Sequence, residues 1–146
     1  MTFVCLGYLD AASWGALSEG ERAALLEEGL AYDAELRRGG YLVGGQGLRG
    51  VRQAVTLRGR DGRVAVTDGP HAAAPEHLGG ILSLEARDLN HVIQLMSWHP
   101  AIRGGSMEIR AADEPSHGAG RPGARTVAAR GGPGRGAGPL RSSPNS

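Results

Sequence analysis

Asp61-Gly62 separates two runs in which apolar and polar residues alternate, Gln53 to Arg58 and Arg63 to Thr67. A two-residue hairpin turn demands positive φ at its centre, and both residue types tolerate it, so the dipeptide predicts an antiparallel hairpin in mid-chain. The hairpin leads into Val66-Thr67-Asp68-Gly69-Pro70-His71, followed by Leu78-Gly79-Gly80. An acid, a flexible glycine, a rigid proline and an imidazole stand there in immediate succession. Any fold for this chain must be arranged around that hairpin and its exit loop.

The flanking sequence alternates strand and helix signals. Thr2 to Leu9 is apolar on both faces, as a central strand is. Ser18-Glu19-Gly20-Glu21 forms a capping box, the serine accepting from the third helical N–H while Glu21 reaches back. The helix runs to about Arg38, with Leu25, Leu26, Leu30, Tyr32 and Leu36 as its apolar face. Arg37 and Arg38 suit its C-terminal dipole, and Gly39 or Gly40 can take the left-handed cap. Gly29, inside this helix, costs up to ~1 kcal/mol. Tyr41 to Gly45 opens a second extended segment, and Ile81 to Ala86 reads as a strand after the Asp68 loop. Asp88 caps a second helix, whose Leu89, Val92, Ile93 and Met96 fall at helical spacing; His99-Pro100 ends it. A last strand, Ser106 to Ala111, turns Met107 and Ile109 inward.

The order is β-α-β-β-β-β-α-β, a ferredoxin-like α+β unit with an inserted hairpin. Two helices cover one face of its sheet; the other face also carries apolar residues and needs a partner, so the expected assembly is a homodimer packed sheet to sheet.

Residues 1–112 hold 11 arginines and 13 acids, residues 113–146 hold 5 arginines and 2 acids, and the chain contains no lysine. The first part, expected to be the single domain, is therefore not basic, which argues against direct nucleic-acid binding. Residues 113–146 are rich in Gly, Pro and Arg and lack apolar periodicity, so they are expected to form a disordered tail. No aromatic residue interrupts them, as an RNA-binding Arg-Gly tail would require. No run reaches the ~20 apolar residues of a membrane span, and no basic segment precedes the first apolar stretch as in a secretory signal. The expected location is the cytoplasm. Cys5, the only cysteine, lies in a predicted strand and reads as a buried, inert thiol.

Several residues carry candidate chemistry. Asp68 either accepts backbone N–H groups in its turn or faces a cleft as a general base or ligand contact. His71 lies three residues on, within reach of Asp68 across a turn, and can serve as an acid or base near neutral pH. His99 is either a helix-end residue or a third catalytic candidate. Arg103 can hold an anionic ligand or pair with Glu108 or another acid. Tyr8, Trp14 and Trp98 read as core or cleft-wall residues, with Tyr8 the candidate ligand contact. His71, Glu76 and His77 match no standard metal-ligand spacing. Gly44-Gly45-Gln46-Gly47 opens no helix and is no dinucleotide fingerprint. Neither a metal nor a cofactor is expected.

Over about residues 1–112 the chain resembles the YCII-related family. The resemblance is carried by the opening strand, Leu17-Ser18-Glu19-Gly20-Glu21-Arg22-Ala23, Gly44-Gly45-Gln46-Gly47-Leu48 and Glu76-His77-Leu78-Gly79-Gly80. Glu85-Ala86-Arg87-Asp88-Leu89, His99-Pro100-Ala101 and Gly105-Ser106-Met107-Glu108-Ile109-Arg110 extend it. Asp68-Gly69-Pro70-His71 is most similar to the loop of the family's DGPF group, with His71 where that motif has phenylalanine. The resemblance implies a dimeric α+β barrel enclosing a cleft. Some relatives use a His–Asp pair proposed for acid–base catalysis, among them a dehydrochlorinase of chlorinated hydroxyquinols; others are encoded beside sigma factors. The enzymatic relatives take their histidine from the first helix, which has none here, and Pro75 stands where a lysine is common. The expected function is thus a ligand-binding or accessory, regulatory module. The alternative is a cofactor-independent lyase or isomerase using Asp68 with His71 or His99.

Overall fold

Four antiparallel strands form the main sheet in the spatial order β2-β5-β1-β6 in a computed structural model that describes residues 1–113. They are β1 (Thr2–Asp10), β2 (Leu42–Gly47), β5 (Glu76–Glu85) and β6 (Gly105–Ala111); β3 (Val55–Arg60) and β4 (Arg63–Asp68) make a separate two-stranded sheet. Helices α1 (Ala11–Ala16) and α2 (Glu19–Arg38) follow β1, and α3 (Leu89–Met96) follows β5. This is the expected ferredoxin-like α+β arrangement with the hairpin inserted between β2 and β5. The expected tail lies, from residue 114 onward, outside the described residues. No helix among the described residues is long and apolar enough to cross a membrane.

Local signals set these elements. Ser18 accepts from the Glu21 N–H at 3.1 Å, and Glu21 accepts from the Ser18 N–H at 3.1 Å, completing the capping box. These bonds hold the Glu21 carboxyl below its usual range. At the far end Gly40, at φ +79°, takes the left-handed position. Asp61 and Gly62 both adopt positive φ, 49° and 75°, as the hairpin turn requires.

Three expectations need correction. Strand β5 begins at Glu76, five residues before Ile81, because Gly79-Gly80 continues the strand instead of turning it. Its ladder with β1 shifts register between Gly7 and Tyr8, where Gly79 is the extra residue. A Cβ on Gly79 would stand 2.9 Å from a Leu9 methyl, so the bulge closes because no side chain is there. In α2, Leu26 and Leu30 are exposed, whereas Leu25 and Tyr32 are half-buried and Leu36 is buried. At 100° per residue, positions 25, 29, 32 and 36 share one stripe and 26 and 30 lie beside it. A Cβ on Gly29 would meet nothing within 4 Å, so that glycine serves no close packing. Trp98 is exposed, so of its two expected places, core or cleft wall, the core is excluded. Helix α1 was not anticipated; Asp10 caps it, accepting from the Ala12 N–H at 2.9 Å and the Ser13 N–H at 3.4 Å.

The core lies on the helical side of the sheet. Phe3 and Cys5 of β1, Leu42 of β2 and Leu84 of β5 pack with Leu36 of α2 and Val92 and Met96 of α3. Each of the larger side chains contributes about 1.5–3 kcal/mol by leaving water. Met107 and Ile109 of β6 lean on this cluster, as expected. Strand alternation turns Val4, Leu6, Tyr8, Leu78 and Ile81 to the opposite face, where all stay half-exposed.

Candidate functional site

Two places on the described chain bring polar side chains together. The first joins α2 to the segment after α3. That segment is a 3-10 turn, Pro100–Gly104, opened by His99, whose Nδ1 accepts from the Ala101 N–H at 3.1 Å. With Nδ1 an acceptor, the ring hydrogen resides on Nε2 and is donated to Asp33 Oδ1 at 2.8 Å. His99 is 6 % exposed and Asp33 23 %. The Tyr32 ring meets the imidazole edge-on, 5.2 Å between centroids. Its hydroxyl donates to the Leu95 carbonyl at 2.5 Å, and burial raises its pKa. Both imidazole nitrogens are thus engaged by the protein itself. The pair braces the 3-10 turn against α2, and among the described residues the other oxygen of Asp33 has no partner.

A groove of about 550 Å³ runs beside this pair, lined by Tyr32, Trp98, Pro100, Glu28 and Arg103 among others. Arg103 forms an ion pair with Glu28 of α2, so the acid that meets it is Glu28 rather than Glu108.

The second place is a cleft of about 580 Å³ at one end of the open sheet face. Tyr8 of β1, Ser106 and Glu108 of β6, and Pro75 and Glu76 at the start of β5 line it with Asp10. Close strand approach shapes it. Gly105 would place a Cβ 1.8 Å from the Tyr8 carbonyl oxygen, so only glycine lets β6 begin against Tyr8. The Ala11 N–H donates to the Pro75 carbonyl at 3.3 Å, tying the preceding loop to α1. Ser106 Oγ donates to Glu76 Oε2 at 3.0 Å. Three carboxylates, a hydroxyl and a half-buried phenol thus surround the cleft, with no arginine in its lining. Such a surface suits an ammonium or hydroxyl-bearing molecule and repels an anion. No group of three or more His, Cys, Asp or Glu side chains among the described residues could hold a metal ion.

The remaining sequence candidates lie elsewhere. Asp68 ends β4 opposite Val55 with its carboxylate exposed, and among the described residues no side-chain hydrogen bond or ion pair reaches that carboxylate. Its turn is held by backbone and by Thr56 instead. The Gly69 N–H donates to the Ala54 carbonyl at 2.7 Å, and Thr56 Oγ1 donates to the Gly69 carbonyl at 2.8 Å. His71 is exposed, and its carbonyl, not its ring, accepts from Arg58 Nη2 at 2.6 Å. Asp68 and His71 are therefore not bonded to each other, and His99 meets Asp33 rather than Asp68. Tyr8 stands in the cleft and Arg103 beside the groove. Asp33 was not singled out from sequence. The available signal was a short acid in a helix interior, a position its side chain disfavours unless it has a partner.

A model of the YCII-related domain matches residues 1–114. The chain belongs to the YCII-related family. No curated protein matches it. Among solved structures, it is similar to the 5-chloro-2-hydroxyhydroquinone dehydrochlorinase of Burkholderia phenoliruptrix AC1100 in complex with 2,5-dihydroxybenzoquinone. That similarity is 16% in sequence identity, with a TM-score of 0.46, and covers 77% of this chain and 94% of the other.

Proposed function

We propose that the protein is a homodimeric small-molecule-binding module, of the family's DGPF group, whose ligand is an organic cation held in the Tyr8 cleft. The observation that carries this reading is the cleft itself: Tyr8 flanked by Asp10, Glu76, Glu108 and Ser106, at the edge of a half-exposed apolar sheet face. These carboxylates offer charge and hydrogen-bond acceptors to an ammonium group, and Tyr8 adds an aromatic ring to the lining. Dimerisation is supported by Val4, Leu6, Leu78 and Ile81, which share the open face with Tyr8 and remain half-exposed in one copy. Binding is favoured over catalysis because both nitrogens of His99 are already hydrogen-bonded within the protein, leaving no free imidazole site beside Asp33.

The test is a thermal-shift screen of aromatic primary amines, phenethylamine first, on the native chain and on Tyr8→Ala and Glu76→Gln. A bound amine raises the native Tm by mass action. Each variant should lose that shift while keeping the native circular dichroism spectrum, and mass spectrometry should recover the amine unchanged. Equal shifts in all three proteins would remove the cleft from consideration. Chemical conversion of the amine would turn the reading toward a lyase or isomerase.

A further inference from the structure

The hairpin β3–β4 is amphipathic, and its two faces call for different surroundings. The register pairs Val55 with Asp68, Leu57 with Val66 and Gly59 with Val64, so these residues share one face. The pairs Thr56–Thr67, Arg58–Ala65 and Arg60–Arg63 share the other. The exit loop lies against the base of this second face, where Thr56 donates to the Gly69 carbonyl and Arg58 to the His71 carbonyl. Thr56 and Arg58 are the only half-buried residues of the two strands. The aliphatic face is the open one: Val55, Leu57, Val64 and Val66 are 58, 65, 64 and 67% exposed. None of them belongs to the core cluster. A two-stranded hairpin is marginally stable alone, and a contiguous apolar face on it marks a contact with a protein or a membrane.

Charge decides between these. Residues 48–69 carry five arginines against two acids, Asp61 and Asp68. Arg60 stands directly opposite Arg63, and neither makes an ion pair among the described residues. An anionic neighbour relieves such a like-charge pair. Asp68, the one acid on the aliphatic face, sits at its base, so Leu57, Val66 and Val64 form an uncharged stretch toward the turn. A nucleic acid would meet the arginines and leave the aliphatic face in water. An apolar protein surface would cover the aliphatic face and leave the arginines unmatched. A phospholipid surface answers both. An amphipathic element lies in it with its apolar side chains about 5–10 Å deep at the acyl boundary and its polar face among the headgroups. Guanidinium groups match phosphate bidentately. Such an association needs no membrane-spanning helix.

We propose that hairpin β3–β4 is a surface anchor for membranes of anionic phospholipid. Leu57, Val64 and Val66 enter the acyl boundary, and Arg60 and Arg63 hold headgroup phosphates. Three aliphatic side chains give a reversible contact, which charge strengthens. The anchor is separate from the Tyr8 cleft and from the open sheet face, and it does not rest on the function proposed above.

Co-sedimentation of the full chain with vesicles tests it. Vesicles of about one-third phosphatidylglycerol in phosphatidylcholine should bind the chain about tenfold or more tightly than phosphatidylcholine alone. Leu57→Asp, and Arg60→Gln combined with Arg63→Gln, should each weaken that binding about tenfold or more, with circular dichroism unchanged. Leu30→Asp, at a comparably exposed leucine of α2, should leave it unchanged. Brominated acyl chains should quench the added fluorescence of Val66→Trp and not that of Thr67→Trp, since the two positions lie on opposite faces. A chain that stays in the supernatant with anionic vesicles overturns the proposal. Binding that ignores both hairpin variants, or falls equally with Leu30→Asp, also overturns it. Binding that survives Leu57→Asp but not the arginine pair would make the hairpin a contact for phosphate alone, and competition by duplex DNA would identify that source. A change of oligomeric state in Leu57→Asp with no vesicle binding by the native chain would give the aliphatic face to a second copy instead.

Discussion

His99 Nε2 donates to Asp33 Oδ1 across 2.8 Å, joining two residues 66 apart in the chain. The bond links the middle of α2 to the turn that launches β6, so it fixes the second half of the fold against the first. Removing the acceptor strands a buried N–H. Asp33→Ala should therefore lower stability to urea by about 1–3 kcal/mol. Asp33→Asn presents an amide oxygen to the same hydrogen and should recover more than half of the loss. Equal losses in the two variants would show that acceptance from His99 is not what Asp33 contributes.

Gly105 separates a steric requirement from a torsional one. Its φ of −179° is extended backbone open to any residue, yet an added Cβ would fall 1.8 Å from the Tyr8 carbonyl oxygen. Backbone cannot yield as a side-chain tip can, so β6 would have to leave β1. Gly105→Ala should cost about 3 kcal/mol in denaturant titration. Gly44→Ala, where nothing stands within 4 Å of the new carbon, should stay within ~0.5 kcal/mol of the native value. If the two substitutions cost the same, the close approach of β6 to Tyr8 is not as described.

These two positions also show what a sequence can disclose. The capping box at Ser18 and Glu21 and the turn at Asp61-Gly62 were legible because each is decided by neighbours within a few residues. The start of β5 was not. Gly79-Gly80 carries the composition of a turn, and only the packing of Leu9 against Gly79 reveals a bulged strand. The same holds for the candidate sites. Tyr8 and Arg103 could be picked out by residue type, but Asp33 acquires its role from a histidine 66 residues away. Asp68 drew attention through its motif, while the bonds that hold its turn belong to Thr56 and Gly69.

Acid should destabilise the fold partly through Glu85. The Thr2 hydroxyl donates to its carboxylate and the N-terminal ammonium lies 3.4 Å away. These contacts, the hydroxyl first, hold its pKa below the usual carboxylate value of 4.5. A folded-state pKa below the unfolded one gives stability that is present above pH 4.5 and is lost as pH falls through the folded value. Glu85→Gln should therefore flatten the acid limb of a stability-against-pH curve below that point. A limb of unchanged slope would place the acid sensitivity elsewhere, with Glu21 of the capping box the next carboxyl to replace.

Cys5 offers a reporter of global opening. It sits in the central strand β1 between α2, α3 and the β5 partner Leu82, and burial pushes its thiol up to about 11. The thiolate is the form that attacks a disulfide reagent or an alkylating agent. Two barriers therefore protect Cys5 near neutral pH: the thiol is protonated, and no reagent reaches it. Raising the pH to the ordinary thiol value of 9.0 should leave the native protein unreactive. Urea should bring reaction on with the same midpoint as loss of circular dichroism, because β1 is paired on both sides and cannot open alone. Labelling that precedes the unfolding transition would mean that β1 separates from β5 or β6 while the rest of the chain stays folded. The sheet would then lack the cooperative centre that its order β2-β5-β1-β6 gives it.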